Sequence, residues 1–499
     1  MTTPIKHHAQ AAAANGAVAA EAVGVLRDVL SGASDYRRLL LKAAAGAGKS
    51  FVLRQLVQAA VEHPNCGRVA VVAFTNRQTW PLAVELGKML GRDQVVLFAS
   101  QAVVANVPQD VWTHAHVVSS TRDIPVSAKV VISTVHKLGA PSELARQQSN
   151  FGVGKNGATP FDVLFCDEAW QVAHHLFDKV TKAAPVWVGV GDVGQLPPLE
   201  VGANPWRGDP GYNPYRAWPT QYVDGDPETW VQELPAVWRP TAEQLGLWRA
   251  FYPEWAELSC VAAPGDRRIL LGEGLDPLVA PLWEAVATGR PILAEIDGLP
   301  EPDAPDVDEP LTRFVEYALN ALFSAGFALE SAHYDSAGFP DGETVVTVLG
   351  ASGDTLVAVL ATRNQAVDDA AEAVQRLAER HHLVETDLQS STVDSWQGQT
   401  NAITVGVHAL TGATKLDEFN SAFGRLAVVA TRATHGLLLV TRPGLDELLR
   451  DAPARPGTPL GEPGNRRLPR QTHEHILKAF DRVRVTVPAD LFATAPEGA

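Results

Sequence analysis

LLLKAAAGAGKSFVL, residues 39–53, joins an apolar run to a loop of small residues that closes on Gly48-Lys49-Ser50. A strand, a glycine-bearing loop and a helix, in that order, build a phosphate cradle. Backbone N–H groups wrap the phosphates, a lysine reaches the β- and γ-oxygens, and a hydroxyl holds Mg²⁺. Lys49 and Ser50 fill the last two roles, while Gly46, Ala47 and Gly48 supply the close backbone approach. The usual spacing asks for glycine at 43, where this chain has Ala43; a small side chain is tolerated at the loop's first position. The stretch predicts ATP with Mg²⁺ on an α/β sheet.

Outward from the loop, RRLLLKAA, RVAVVAFT, KVVIST, FDVLFCDE and VWVGVGD are apolar runs ending in small or polar residues, with amphipathic stretches between them. That alternation predicts a doubly wound parallel sheet, whose ligands gather at the C-terminal ends of its strands. VLFCDEAW (163–170) delivers Asp167 and Glu168 to that edge. Asp167 suits the Mg²⁺ shell, and Glu168 suits orienting and deprotonating a water. VGVGDVGQLPPL (188–199) brings Asp192 and Gln195 to the end of the next strand, where Gln195 is placed to sense a γ-phosphate.

The 499 residues exceed one ordinary core, and 46% hydrophobic with 20% charged residues describes a globular chain. A net charge of −16 argues against indiscriminate coating of nucleic acid but leaves room for a local basic groove. Cys66, Cys166 and Cys260 lie far apart with no CxxC pair, which suits a reducing cytoplasm. No apolar run is long enough to span a membrane. The paired histidines 7/8, 174/175 and 381/382, and His473-Glu474-His475, lack metal-ligand spacing and read as surface residues. Six tryptophans between 206 and 255 read as a satellite core under a long loop, with base stacking as the alternative.

The motifs AAAGAGKS, VVAFTNRQ, VVISTVHKL, FCDEAW and GDVGQLPP follow one another in the order of the superfamily 1 helicase motifs. ELPAVWR, VAVLATRNQ, STVDSWQGQT and GRLAVVATRATHGLLLV continue that order to residue 440. The forms GDxxQLPP, TVDSWQG and VATRAT resemble the 1B branch, which includes senataxin and the nonsense-decay helicase. The resemblance implies two RecA-like P-loop domains and ATP-driven movement along single-stranded DNA or RNA in the 5′→3′ direction. It implies that Lys49, Asp167, Glu168, Gln195, Arg239 and Arg432 serve catalysis, both arginines reaching the γ-phosphate, and that Gly398 lies beside the nucleotide. Thr75, Asn76, Thr134, Thr392 and Ser395 match segments that line the strand track, with Trp396 either a stacking face or a packing residue. Thr400 stands where members often carry a ribose-contacting glutamate, and Gln10 lies farther upstream than their adenine-reading glutamine.

The chain therefore divides, as an expectation, into a RecA-like domain at 1–240, a helical segment with an acidic linker at 241–310, a second RecA-like domain at 311–445, and a Pro/Gly-rich extension at 446–499. EIDGLPEPDAPDVDEP, with seven acids before Pro310, carries the linker reading. The rival to a motor is a nucleotide-driven switch responding to nucleic acid or a protein partner without unwinding. A metabolic kinase is disfavoured, since no small-molecule acceptor site is visible.

Overall fold

The computed structural model describes residues 5–194, 198, 213–255, 257–302, 308–351, 353–361, 364–396, 398–416, 423–452, 469–489 and 491–492. They form two compact units, Ala14–Pro235 and a second of Met1–Ala13 with Ala236–Ala499.

The first unit is an eight-stranded sheet of β1 (Arg38–Ala43), β2 (Val69–Ala73), β3 (Val95–Phe98), β4 (His116–Val118), β5 (Val130–Thr134), β6 (Val163–Asp167), β7 (Val186–Asp192) and β8 (Thr229–Glu233). Their order is β4-β3-β5-β2-β6-β7-β1-β8, and every pairing is parallel. Every residue of β2, β3, β5 and β6 is buried, as strands covered on both faces must be, so their sequences are unbroken Val, Ile, Leu, Phe and Ala with few polar exceptions. Val72, Phe98, Val131, Leu164, Phe177 and Trp218 pack in the core on one side, with Trp218 stacked on Phe177 at 3.9 Å between ring centroids.

Helices start where local chemistry allows. The helix α1 (His8–Ser31) precedes β1. The helix α2 (Lys49–Glu62) follows β1 and begins at Gly48 in the left-handed region, with no side-chain cap. The helix α3 (Asn76–Leu90) begins at a capping box in which the Thr75 hydroxyl accepts from Gln78 N–H and the Gln78 side chain accepts from Thr75 N–H.

The second unit holds the short parallel pair β9 (Ala236–Val237) and β10 (Ser259–Cys260). It also holds an antiparallel sheet of β11 (Arg267–Leu271), β13 (Phe327–Tyr334) and β14 (Pro340–Thr347). Its main sheet comprises β12 (Pro291–Asp297), β15 (Thr355–Ala361), β16 (Leu388–Thr392), β17 (Asn401–Val407), β18 (Ala433–Thr441) and β19 (Asp481–Thr486), ordered β16-β15-β17-β18-β12-β19 and parallel throughout. Phe314, Leu319, Leu322, Trp283 and Leu377 fill its core, and the Trp283 indole N–H donates to Ala318 O. The fold is thus α/β with a doubly wound, RecA-like parallel sheet in each unit.

The structure redraws the expected boundaries. Residues 236–240 join the second unit rather than the first. The segment 241–310 is not a linker throughout, because β12 sits inside the second sheet between β18 and β19. Its acids Glu295 and Asp297 end a buried strand, and Glu295 pairs with Arg482 and Arg484. Asp308 caps the helix Glu309–Ala325 through Leu311 N–H and grips Arg442 at 2.6 Å. The extension beyond 445 likewise returns to the sheet as β19. The histidines read as surface residues include buried ones, His473 and His174. No helix among the described residues is long and apolar enough to cross a membrane, and all three cysteines are buried free thiols.

Candidate active site

Ala43 is still part of β1, paired with Asp192 of β7, and wholly buried. The turning loop is therefore Ala44–Gly48, and a glycine at 43 would gain nothing from its freedom. Gly46 (φ 73°) and Gly48 (φ 93°) take left-handed backbone that a side chain would disfavour. Gly48 O accepts from Phe51 and Val52 N–H, so the turn runs directly into α2. The amides of this loop and the helix N-terminus form a concave donor set suited to an anion.

Parallel register places the ends of β6, β7 and β1 side by side: Asp167 lies opposite Val190, and Asp192 opposite Ala43. Lys49 Nζ is consequently 2.9 Å from Glu168 Oε1, 3.1 Å from Oε2 and 4.0 Å from Asp192 Oδ2. Asp192 Oδ1 also accepts from Gly194 N–H. Burial, then the neighbouring Glu168 charge, pushes the Asp167 carboxyl up to about 7 against the pull of Lys49. Ser50 is exposed at the start of α2.

Glu168 itself occupies the left-handed region at φ 47°, ψ 45°, an uncommon conformation for a side-chain-bearing residue. Such backbone costs on the order of 1–3 kcal/mol and persists where its surroundings over-determine it. Here Gln171 N–H closes the turn on Glu168 O at 2.8 Å. Beneath it, Gly191 of β7 leaves room: a Cβ there would stand 2.8 Å from Ala169 N and from Trp170 Cε3.

The other predicted residues divide. The hydroxyls of Thr75 and Thr134 cap helices, Thr134 accepting from Lys137 N–H at 3.2 Å. Asn76 opens α3 half-buried, with its carbonyl taken by the Thr79 hydroxyl. Thr392 accepts from Ser395 N–H, leaving the Ser395 side chain exposed. Trp396 is corrected: at 4% exposure, with its indole N–H on Asn401 Oδ1, it is a packing residue with no face for a base. Gly398 is exposed at φ 85°. Gln195 lies outside the described residues.

Arg239 and Arg432 come together within the second unit. Arg239 Nη1 donates to Thr431 O at 3.0 Å, the peptide just before Arg432. Arg432 is 1% exposed and donates to Val428 O, Gln399 O and Thr431 Oγ1. In this arrangement it braces its own loop rather than presenting a finger. Arg267, which the motifs did not single out, holds the Arg239 segment through Trp238 O at 2.8 Å, Arg239 O and Pro240 O. Asp192 was visible at its strand end, but only the register with β1 brings it to Lys49.

Fold and site together define a chain with a P-loop domain on a doubly wound sheet, and a family model described as an AAA domain matches residues 27–201. Among solved structures, the chain is similar to the PRRSV helicase at 14% identity and TM-score 0.36, covering 84% of this chain and 56% of that one. It is similar to the arterivirus nonstructural protein 10 helicase at 14% identity and TM-score 0.38, covering 82% and 61%. A complex of that helicase with DNA gives 15% identity and TM-score 0.38, covering 84% and 63%. The chain thus matches only 56–63% of the length of those proteins, and a likeness this loose carries no functional weight. No curated protein matches the chain.

Proposed function

We propose that the chain is an ATP-hydrolysing motor that couples turnover to 5′→3′ movement along single-stranded DNA or RNA in the cytoplasm. One observation carries the reading: Lys49 emerges from a two-glycine cradle straight onto Glu168 and Asp192 at the joined ends of β6, β7 and β1. That is where an in-line phosphoryl transfer needs a cation, a base and a metal-side carboxylate.

The residues fit ATP with Mg²⁺. No cluster of three or more His, Cys, Asp or Glu side chains suited to a metal occurs among the described residues. Mg²⁺ needs no such cage, since it keeps waters and takes one or two protein oxygens beside the substrate phosphates; Ser50 and Asp167 would supply those oxygens. The bound ion would neutralise charge developing on the phosphate oxygens. Loop amides from Gly46 to Ser50 hold the polyphosphate, Lys49 moves from Glu168 to a terminal phosphate oxygen, and Glu168, so released, orients and deprotonates the attacking water. Gln195 senses the γ-phosphate, and Arg239 and Arg432 supply positive charge to it once they leave their hydrogen bonds to Thr431 O, Val428 O and Gln399 O, with Gly398 beside the nucleotide. Thr75, Asn76, Thr134, Thr392 and Ser395 contribute backbone-positioning contacts to the strand.

A nucleotide-driven switch is favoured over the motor by one feature: Trp396, the aromatic candidate for stacking a base, is buried. Strand displacement on tailed duplexes separates the two. The site itself is tested by phosphate release from Lys49→Ala: hydrolysis is abolished if the assignment holds, and near-normal turnover overturns it.

A further inference from the structure

The buried stripe of α1 follows the helical repeat through Ala11, Asn15, Ala19, Ala22 and Leu26. Asn15 is its polar member, 6% exposed, in an alanine run where asparagine is a weaker helix former than its neighbours. Burying an amide is unfavourable unless it finds a partner. Asn15 Nδ2 donates to Ala47 O at 2.9 Å.

Ala47 lies between Gly46 and Gly48, the two left-handed residues of the loop. Glycines restrict neighbouring peptides little, because no Cβ limits their rotation. In a trans peptide the C=O and N–H point in opposite directions. A tether on Ala47 O therefore fixes the direction of the Gly48 N–H, one of the amides a P-loop turns toward phosphate.

We propose that Asn15 is a positioning residue for the nucleotide site, holding the Ala47–Gly48 peptide in its phosphate-binding orientation before a polyphosphate arrives. This rests on the reading of residues 44–50 as a nucleotide cradle and adds to it a residue from a helix outside the loop. Asn15 acts on binding and not on bond cleavage, so its loss weakens nucleotide affinity while leaving the chemical step intact.

The test uses the full chain, with ADP–Mg²⁺ binding followed by calorimetry and ATP turnover at varied concentration. Asn15→Ala raises helix propensity, so α1 persists; Asn15→Asp keeps the size but sets an oxygen against Ala47 O. The expected result is a Kd for ADP–Mg²⁺ raised roughly threefold to tenfold in Asn15→Ala, as for one lost hydrogen bond, and raised further in Asn15→Asp. KM for ATP rises in parallel and kcat at saturation stays within about twofold. A merely structural role would lower the unfolding midpoint and leave Kd and KM in place. Wild-type Kd in both variants, with binding lost in Lys49→Ala, overturns the role of Asn15 and leaves the cradle standing. Failure of the wild-type chain to bind either nucleotide overturns both.

Discussion

Glu168 combines a left-handed backbone with a carboxylate held by Lys49, so its geometry is set by the fold before any substrate is engaged. If it is the base, Glu168→Gln keeps nucleotide binding and lowers the hydrolysis rate by about 10²–10⁴; equal rates in a single-turnover assay would assign the proton to another group. A second residue-scale prediction concerns acid stability. Burial, the leading cause in each case, pushes the imidazoles of His408 and His435 down to about 3. An unfolded histidine takes its proton near pH 6.5, so the stability these groups confer is whole above that pH and is lost as pH falls toward 3. At pH 5 each costs about 2 kcal/mol. His408→Gln is expected to shrink the loss of stability between pH 7 and pH 5 by about that amount, read by urea unfolding; an unchanged slope contradicts it. Much of the site was legible at this scale, since Lys49, Asp167 and Glu168 stand at a loop and a strand end that any parallel sheet brings together. The burial of Trp396 and Arg432 was not legible, because a motif fixes a residue's place in the chain and not the packing around it.

At the scale of elements, β7 carries its function through two glycines with no room for a side chain. A Cβ on Gly189 would meet Trp218 Cζ2 at 2.8 Å, and one on Gly191 would meet the backbone of the turn that carries Glu168. Gly191→Ala is therefore expected to cost about 1–3 kcal/mol as an overpacked site and to lower hydrolysis more than nucleotide affinity. Full activity in that variant would mean the turn is not held by β7. Strands β1, β2, β5, β6 and β7 were readable because burial on both faces leaves a continuous apolar run. The run of β3 is only four residues long, and the polar β8 leaves no such trace. β12 was hidden by the acids that follow it, and β19 by the Pro/Gly-rich sequence before it. Its exposed Arg482 and Arg484 alternate with more buried residues and pair with Glu295 of β12.

At the scale of the whole molecule, two parallel sheets were expected and found, but their membership differs from the sequence reading. Lys6 N–H donates to Ser259 Oγ, His7 Nδ1 to Cys260 O and Ala262 O, and His8 Nε2 meets Asp266 Oδ2 at 2.8 Å. Contacts more than 250 residues apart leave no local pattern, so the N-terminal residues could not be assigned to the second unit from sequence. Arg239 joins that same unit, which puts both candidate arginines on one body and the cradle on the other. If hydrolysis is coupled to movement along a strand, fuel use must follow strand occupancy. The decisive measurement is steady-state ATP hydrolysis by the full chain during titration with single-stranded DNA and, separately, single-stranded RNA. A saturable, severalfold rise with at least one polymer, absent in Lys49→Ala, is the expected result. A rate that stays flat through saturating amounts of both contradicts the motor.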